Sequence, residues 1–81
     1  MKQNIGAFQQ SGDIEKDAER KLLLHLTAVE QFEGKKVADK VAKHMQGFQL
    51  LLDQYKDAAG LSDKAYQALS SDTTDMIAQW D

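Results

Sequence analysis

Apolar side chains between residues 13 and 59 recur with the spacing of an α-helix on both sides of Gly34. Successive members of each series lie three or four positions apart, which keeps side chains on one face of a helix. The first series is Ile14, Ala18, Leu22, His25, Val29 and Phe32, and the second is Val37, Val41, Met45, Phe48, Leu52, Tyr55 and Ala59. The pattern predicts two amphipathic helices, over about residues 13–33 and 35–59.

The residues at the ends of these two helices predict a tight hairpin. Asp13 is expected to cap the first helix, because its carboxylate can accept hydrogen bonds from the unpaired N–H groups of the first turn. Gly34 is expected in the left-handed conformation just past the end of that helix, where a side chain would clash. Lys35 and Lys36 follow at once, so the connection is short and the two helices should lie antiparallel.

The segment that follows predicts two short helices. Gly60 is expected to end the second helix, and Ser62 to cap a third helix over about residues 63–70. The polar residues 70–74 would then form a turn before a fourth helix over about residues 73–80.

Together these elements predict an all-α fold, an antiparallel helical hairpin closed by two short C-terminal helices in a three- to four-helix bundle. Met76, Ile77 and Trp80 belong to the lid over the open side of the hairpin, and Trp80 is expected to fill the core. A further alternative function is the binding of a small ligand between the hairpin and this lid.

Residues 1–12 are polar apart from a few side chains such as Ile5 and Phe8. They predict a flexible N-terminal arm, which leaves residues 13–81 as a single helical-bundle domain. The alternative is an arm that folds on contact with a partner.

Composition excludes several classes of protein. The 81-residue chain has no cysteine, so it has neither disulfides nor thiolate chemistry. Its longest apolar runs, residues 22–24 and 50–52, are too short to cross a bilayer. Residues 1–12 lack the apolar core of a signal peptide. A cytoplasmic protein without a membrane segment is therefore expected.

The charge is unevenly distributed along the chain, whose net charge is −3. Residues 35–47 carry four lysines and one aspartate, a net charge of +3, whereas residues 48–81 carry two lysines and six aspartates, a net charge of −4. A basic segment followed by an acidic one indicates a dipolar molecule rather than a protein that binds polyanions.

The sequence predicts no catalytic residue, cofactor or metal site. His25 lies on the first apolar series and His44 at the edge of the second. A lone histidine on an apolar face is more often a hydrogen-bonded core residue than a ligand. The two imidazoles have no Glu-x-x-His motif beside them and do not by themselves make a closed metal site. An enzyme is the least expected class.

Two leucines, a glycine and a series of lysines are predicted on the outer side of the hairpin. Leu24 points almost directly away from Leu22, because consecutive helical residues are about 100° apart. On the reverse of the second helix lie Lys36, Lys40, Lys43, Gly47 and Leu50. A glycine inside a helix costs about 1 kcal/mol relative to alanine. Gly47 is therefore expected to allow the close approach of another helix, either this chain's own third helix or a helix of a partner.

These outer residues predict a non-catalytic protein–protein interaction or regulatory module. It would dock another protein, acidic where it meets the lysines, through Leu24 and the outer face of the second helix. A second copy of the chain is an alternative partner, since it would also bury the leucines. The alternative interpretation of the lysines is that they form a solvent-exposed helix face that binds no partner. No nucleic acid or membrane partner is expected.

The C-terminal segment offers a different alternative. Its opening residues Gly60, Leu61 and Ser62 and its closing residues Ile77 and Trp80 resemble the helix-turn-helix of repressor-type DNA-binding domains, over about a quarter of the chain. That resemblance implies a small DNA-binding regulator using residues 61–80. The chain departs from it in the turn, which has no glycine, and in Asp72, Asp75 and Asp81, which would face phosphates.

Overall fold

The computed structural model describes residues 1–80, and these form four helices and no strand. The helices are α1 (Lys2–Gln10), α2 (Lys16–Gly34), α3 (Ala38–Asp57) and α4 (Asp63–Trp80). Helix α3 is central, with α2 packed on one side and α4 on the other, while α1 packs on α2. The predicted all-α bundle is confirmed.

The hairpin of α2 and α3 is built on the two apolar series that the sequence shows. Leu22 and Val29 of α2 and Val41, Met45 and Phe48 of α3 are all completely buried. The chain is not helical between the two elements, so α3 doubles back on α2 as expected.

The left-handed residues at the helix ends are not the expected glycines. Gly34 is the last residue of α2, and the left-handed residue is Lys36, with φ 55°. At the end of α3 the left-handed residue is Ala59, with φ 62°, rather than Gly60. In both places the next residue donates its N–H to a carbonyl five positions back, as in the Schellman motif. These hydrogen bonds hold a lysine and an alanine in a conformation that L-residues rarely adopt.

Helix α2 begins at Lys16, and Asp13 does not cap it. The backbone around Asp13 instead pairs with the connection between α3 and α4. The Glu15 N–H donates to the Gly60 carbonyl at 2.9 Å and the Ser62 N–H to the Asp13 carbonyl at 2.8 Å. The hydroxyls of Ser11 and then Ser62 hold the pKa of the Asp13 carboxyl below its ordinary value. The predicted cap is wrong because these long-range bonds keep the chain extended ahead of the helix.

The predicted break between two short C-terminal helices is also wrong, since α4 runs without interruption. Its start agrees with the prediction, because the Ser62 hydroxyl accepts from the Ala65 N–H at 3.1 Å. Two hydroxyls of the polar stretch find their acceptors within the helix. Thr73 Oγ1 donates to the Leu69 carbonyl at 2.7 Å, and Thr74 Oγ1 does the same one residue further on. Thr73 is buried and so continues the apolar face of α4.

The expected flexible arm is instead helix α1. Ile5 is fully buried in the core and Phe8 packs against it, which outweighs the polar character of the segment. At the start of the helix, Lys2 Nζ donates to Thr27 Oγ1 at 3.0 Å and lies 3.3 Å from Glu30 Oε2. Helix α1 therefore lies antiparallel along α2 as part of the bundle.

Replacement of Ile5 by alanine tests the role of α1. Ile5→Ala is expected to lower the free energy of unfolding by about 2–4 kcal/mol, because it leaves a cavity in the core. The exposed neighbour Gln3 provides the control, and Gln3→Ala should change the value by less than about 0.5 kcal/mol. Urea denaturation measures both. If residues 1–12 formed a detached arm, both substitutions would leave the free energy of unfolding nearly unchanged.

Ala59→Gly is expected to stabilise the protein by up to about 1 kcal/mol. Relief of the left-handed conformation, worth roughly 1–2 kcal/mol, exceeds the entropy that glycine adds to the unfolded chain. The control is Ala58→Gly, one residue earlier, where φ is −84° and glycine offers no relief. Thermal unfolding should show opposite signs for the two variants, and equal destabilisation would contradict the assigned conformation.

Candidate functional site

Leu24 and Leu50 are the large hydrophobic side chains that the fold leaves in solvent, with 66% and 63% of their surfaces exposed. Both point away from the core, as the helical spacing indicates. Leu24 also lies in the wall of a shallow depression on α2. The depression is lined by Lys16, Glu19, Arg20, Leu23, Leu24 and Thr27.

The three lysines of the predicted docking surface are exposed. Lys36 lies in the connection between α2 and α3, and Lys40 and Lys43 lie in the first half of α3. Helical spacing places Lys40 and Lys43 on the same side of α3 as Leu50. The Lys40 ammonium lies 5.3 Å from the centroid of the Phe32 ring, so a cation–π contact restrains it at the surface. Leu24, Lys36, Lys40, Lys43 and Leu50 are called the outer hairpin face below.

Gly47 lies against the side chain of His25. A Cβ atom at this position would lie 3.5 Å from Cε1 of His25, so the glycine faces helix α2 of the same chain. Because Gly47 has no side chain, the imidazole can lie against the backbone of α3, and its Nε2 is 2.5 Å from the His44 carbonyl. The close approach that the structure shows at Gly47 is therefore between α3 and α2, within the hairpin.

The two histidines belong to a row of rings along the seam between α2 and α3. The His25 ring centroid lies 5.6 Å from that of His44 and 5.9 Å from that of Phe48. A carbonyl oxygen only accepts, so His25 carries its proton on Nε2. His44 carries one on Nδ1, which lies 3.0 Å from the Lys40 carbonyl. Both imidazoles thus bond backbone, and no set of three metal-ligating side chains occurs among residues 1–80.

A polar network joins α3 to α4. The Tyr66 hydroxyl and the Gln49 amide both donate to Asp53 Oδ1, at 2.5 Å and 3.1 Å. The same amide donates to Ser70 Oγ at 3.1 Å. The hydrogen bond to Asp53, followed by burial, raises the pKa of the Tyr66 hydroxyl above its ordinary value. The network fixes the register of the two helices.

An acidic cleft of about 420 Å³ lies where the second halves of α2 and α4 meet the start of α1. It is lined by Met1, Lys2, Asn4, Leu26, Val29, Glu30, Glu33, Asp72, Asp75, Met76 and Gln79. The sequence did not predict it, because its carboxylates come from helices whose contact is decided by tertiary packing. The one available signal was Glu30 and Glu33 at the negative end of their helix, where acidic residues are unfavourable.

The comparisons with known proteins give one match. Residues 1–78 match the protein family described as FIMAH domain. No curated protein and no solved structure matches the chain. Within residues 1–80, no helix combines the length and the apolar character needed to cross a membrane.

Asp53→Asn tests the polar network, because it should reduce the upward shift in the pKa of Tyr66. In a Tyr55→Phe background the ultraviolet absorbance reports Tyr66 alone, and Asp53→Asn is expected to lower its pKa towards 10.0. Because folding raises this pKa, its contribution to stability is full below the ordinary value and is lost as the pH rises through the folded value. Asp39→Asn, distant from Tyr66 on α3, is the control and should leave the titration unchanged. An unshifted Tyr66 titration in Asp53→Asn would contradict the network.

Proposed function

The chain belongs to the FIMAH domain family, and from its geometry we propose that it is a small non-catalytic module that docks another protein through its outer hairpin face. The observation that carries this proposal is the exposure of two leucines, Leu24 and Leu50, on a hairpin that also carries three exposed lysines. The partner is expected to be acidic around an apolar contact.

The bundle itself leaves this face uncovered. Helix α1 covers one flank of α2 and helix α4 covers one flank of α3. The remaining flanks of both helices form the outer hairpin face. Full burial of a leucine side chain contributes about 1.5–3 kcal/mol, so Leu24 and Leu50 together offer a partner a substantial apolar contact. Apolar residues surrounded by charges are typical of protein-docking surfaces.

The lysines contribute orientation and rate more than affinity. They are exposed and therefore screened by salt, and charges at the rim of an interface act mainly on the association rate. The Phe32 ring already restrains the Lys40 side chain, so this side chain loses less conformational entropy when a partner binds. A partner helix with acidic residues flanking an apolar stripe would complement the face.

The fold does not favour the DNA-binding alternative. Residues 63–80 form one helix, so the two-helix motif that the resemblance implies is absent from this segment. Asp72 and Asp75 lie on that helix and would repel phosphates.

Leu50→Asp tests the docking surface directly. The wild-type protein and the variant are immobilised in parallel and exposed to a lysate of the source cells. A protein captured by the wild type should be lost from Leu50→Asp, because a carboxylate replaces the apolar contact and repels an acidic partner. Circular dichroism should show an unchanged fold, since this side chain is in solvent.

Gln67→Asp supplies the matched control. It adds the same charge at an exposed position of α4, a helix that contributes no residue to the outer hairpin face. This variant should capture the partner as the wild type does. Equal capture by all three baits would contradict the proposal, as would unfolding of Leu50→Asp. Light scattering at two protein concentrations separates self-association from docking of a different protein, since a second copy would raise the apparent mass with concentration.

A further inference from the structure

The acidic cleft has the chemistry of a second binding site. We propose that it receives a basic side chain of another protein, arginine in preference to lysine. The cationic group would lie between the carboxylates of Glu33, Asp72 and Asp75, and the alkyl stem would lie on the apolar floor. The cleft shares no residue with the outer hairpin face, so this inference does not depend on the proposed docking function.

The floor of the cleft is apolar and preformed. Leu26 and Val29 of α2 are buried and Met76 of α4 is partly buried. All three line the cleft, so the cavity presents hydrocarbon beneath its charges. Arginine and lysine combine a charged head with an alkyl stem that packs on such a surface.

The rim of the cleft carries more negative than positive charge. Its four carboxylates, Glu30, Glu33, Asp72 and Asp75, face one lysine, Lys2. Lys2 Nζ lies 3.3 Å from Glu30 Oε2, and among the described residues this is the one ion pair of the cleft. The chain's own ammonium group thus occupies one end of the rim, next to α1. The end formed by Asp72 and Asp75 is available to a second cation.

The helix ends strengthen the negative potential. Helices α2 and α4 both end beside the cleft, and neither has a basic residue in its last turn. The C-terminal end of a helix carries a partial negative charge, which a cation stabilises and a carboxylate destabilises. Glu33, in the last turn of α2, is therefore unfavourable in the free protein, whereas Glu30 already pairs with Lys2. A bound cation would relieve the unfavourable charge of Glu33.

The shape favours a basic side chain over a metal ion. No group of three carboxylates or imidazoles among residues 1–80 is close enough to hold a metal. A cleft of about 420 Å³ is also far larger than a coordinated ion. The planar guanidinium of arginine binds carboxylates through two parallel hydrogen bonds, which lysine cannot do.

The test uses N-acetyl-arginine amide as the probe and backbone amide NMR shifts of the whole chain as the readout. Saturable shifts are expected at residues 26–33 and 72–79, with a dissociation constant on the order of 1–10 mM for so small a ligand. The citrulline analogue has the same shape without the charge and should give no saturable shift. The lysine analogue should bind more weakly than the arginine one.

Asp72→Asn with Asp75→Asn should weaken binding of the probe roughly tenfold or more. Both side chains are on the helix surface, so the double variant is expected to fold. The matched control, Asp39→Asn with Asp57→Asn, removes the same charge from exposed positions of α3 and should bind as the wild type does. Equal weakening in both double variants would overturn the site, because it would indicate an effect of net charge alone.

Three further results would overturn the proposal. One is the absence of saturable shifts in the cleft with the arginine probe at about 50 mM. Another is equal binding of the citrulline analogue. The third is a tighter, saturable response of the same amides to calcium chloride than to the arginine probe, which would assign the carboxylates to a metal ion.

Discussion

A short backbone pairing between two connections organises this bundle. Ile14, just before α2, forms an isolated antiparallel bridge with Leu61, just before α4, and hydrogen bonds on either side of the bridge extend it. Because the bridge holds the first residues of α2 and α4 together, the two helices run parallel from a common end. The second halves of both helices consequently lie beside the cleft at the other end, and their carboxylates line it. The acidic cleft is therefore a consequence of the bridge.

Helix α3 runs antiparallel between these two and divides the molecule into a covered and an uncovered side. Its inner face, with Met45 and Phe48, is buried between α2 and α4, and α1 adds Ile5 to the same core. On the uncovered side lie the lysines with Leu24 and Leu50. The molecule thus has a basic, partly apolar face and an acidic cleft at separate places. The uneven distribution of charge along the chain therefore becomes a separation of charge in space.

Local patterns predicted the parts of the fold that depend on local physics. The hairpin followed from two apolar series with helical spacing, and the exposure of Leu24 and Leu50 followed from their angles on those helices. The Ser62 cap was also predictable, because a cap is a contact between residues close in sequence. The predicted positions of the left-handed residues were wrong by one or two residues. Hydrogen bonds at the helix ends, and not glycine alone, decide which residue adopts that conformation.

The sequence by itself determined that this chain is helical, that α2 and α3 form a hairpin and that two leucines lie outside it, because helical periodicity is a property of neighbouring residues. Only the tertiary structure decided the rest. Ile5 turned an apparently flexible segment into a core helix, and His25 used the space at Gly47 that another helix was expected to use. The cleft, like these contacts, joins residues far apart in sequence. Such contacts form only when the whole bundle closes, so no local pattern could reveal them.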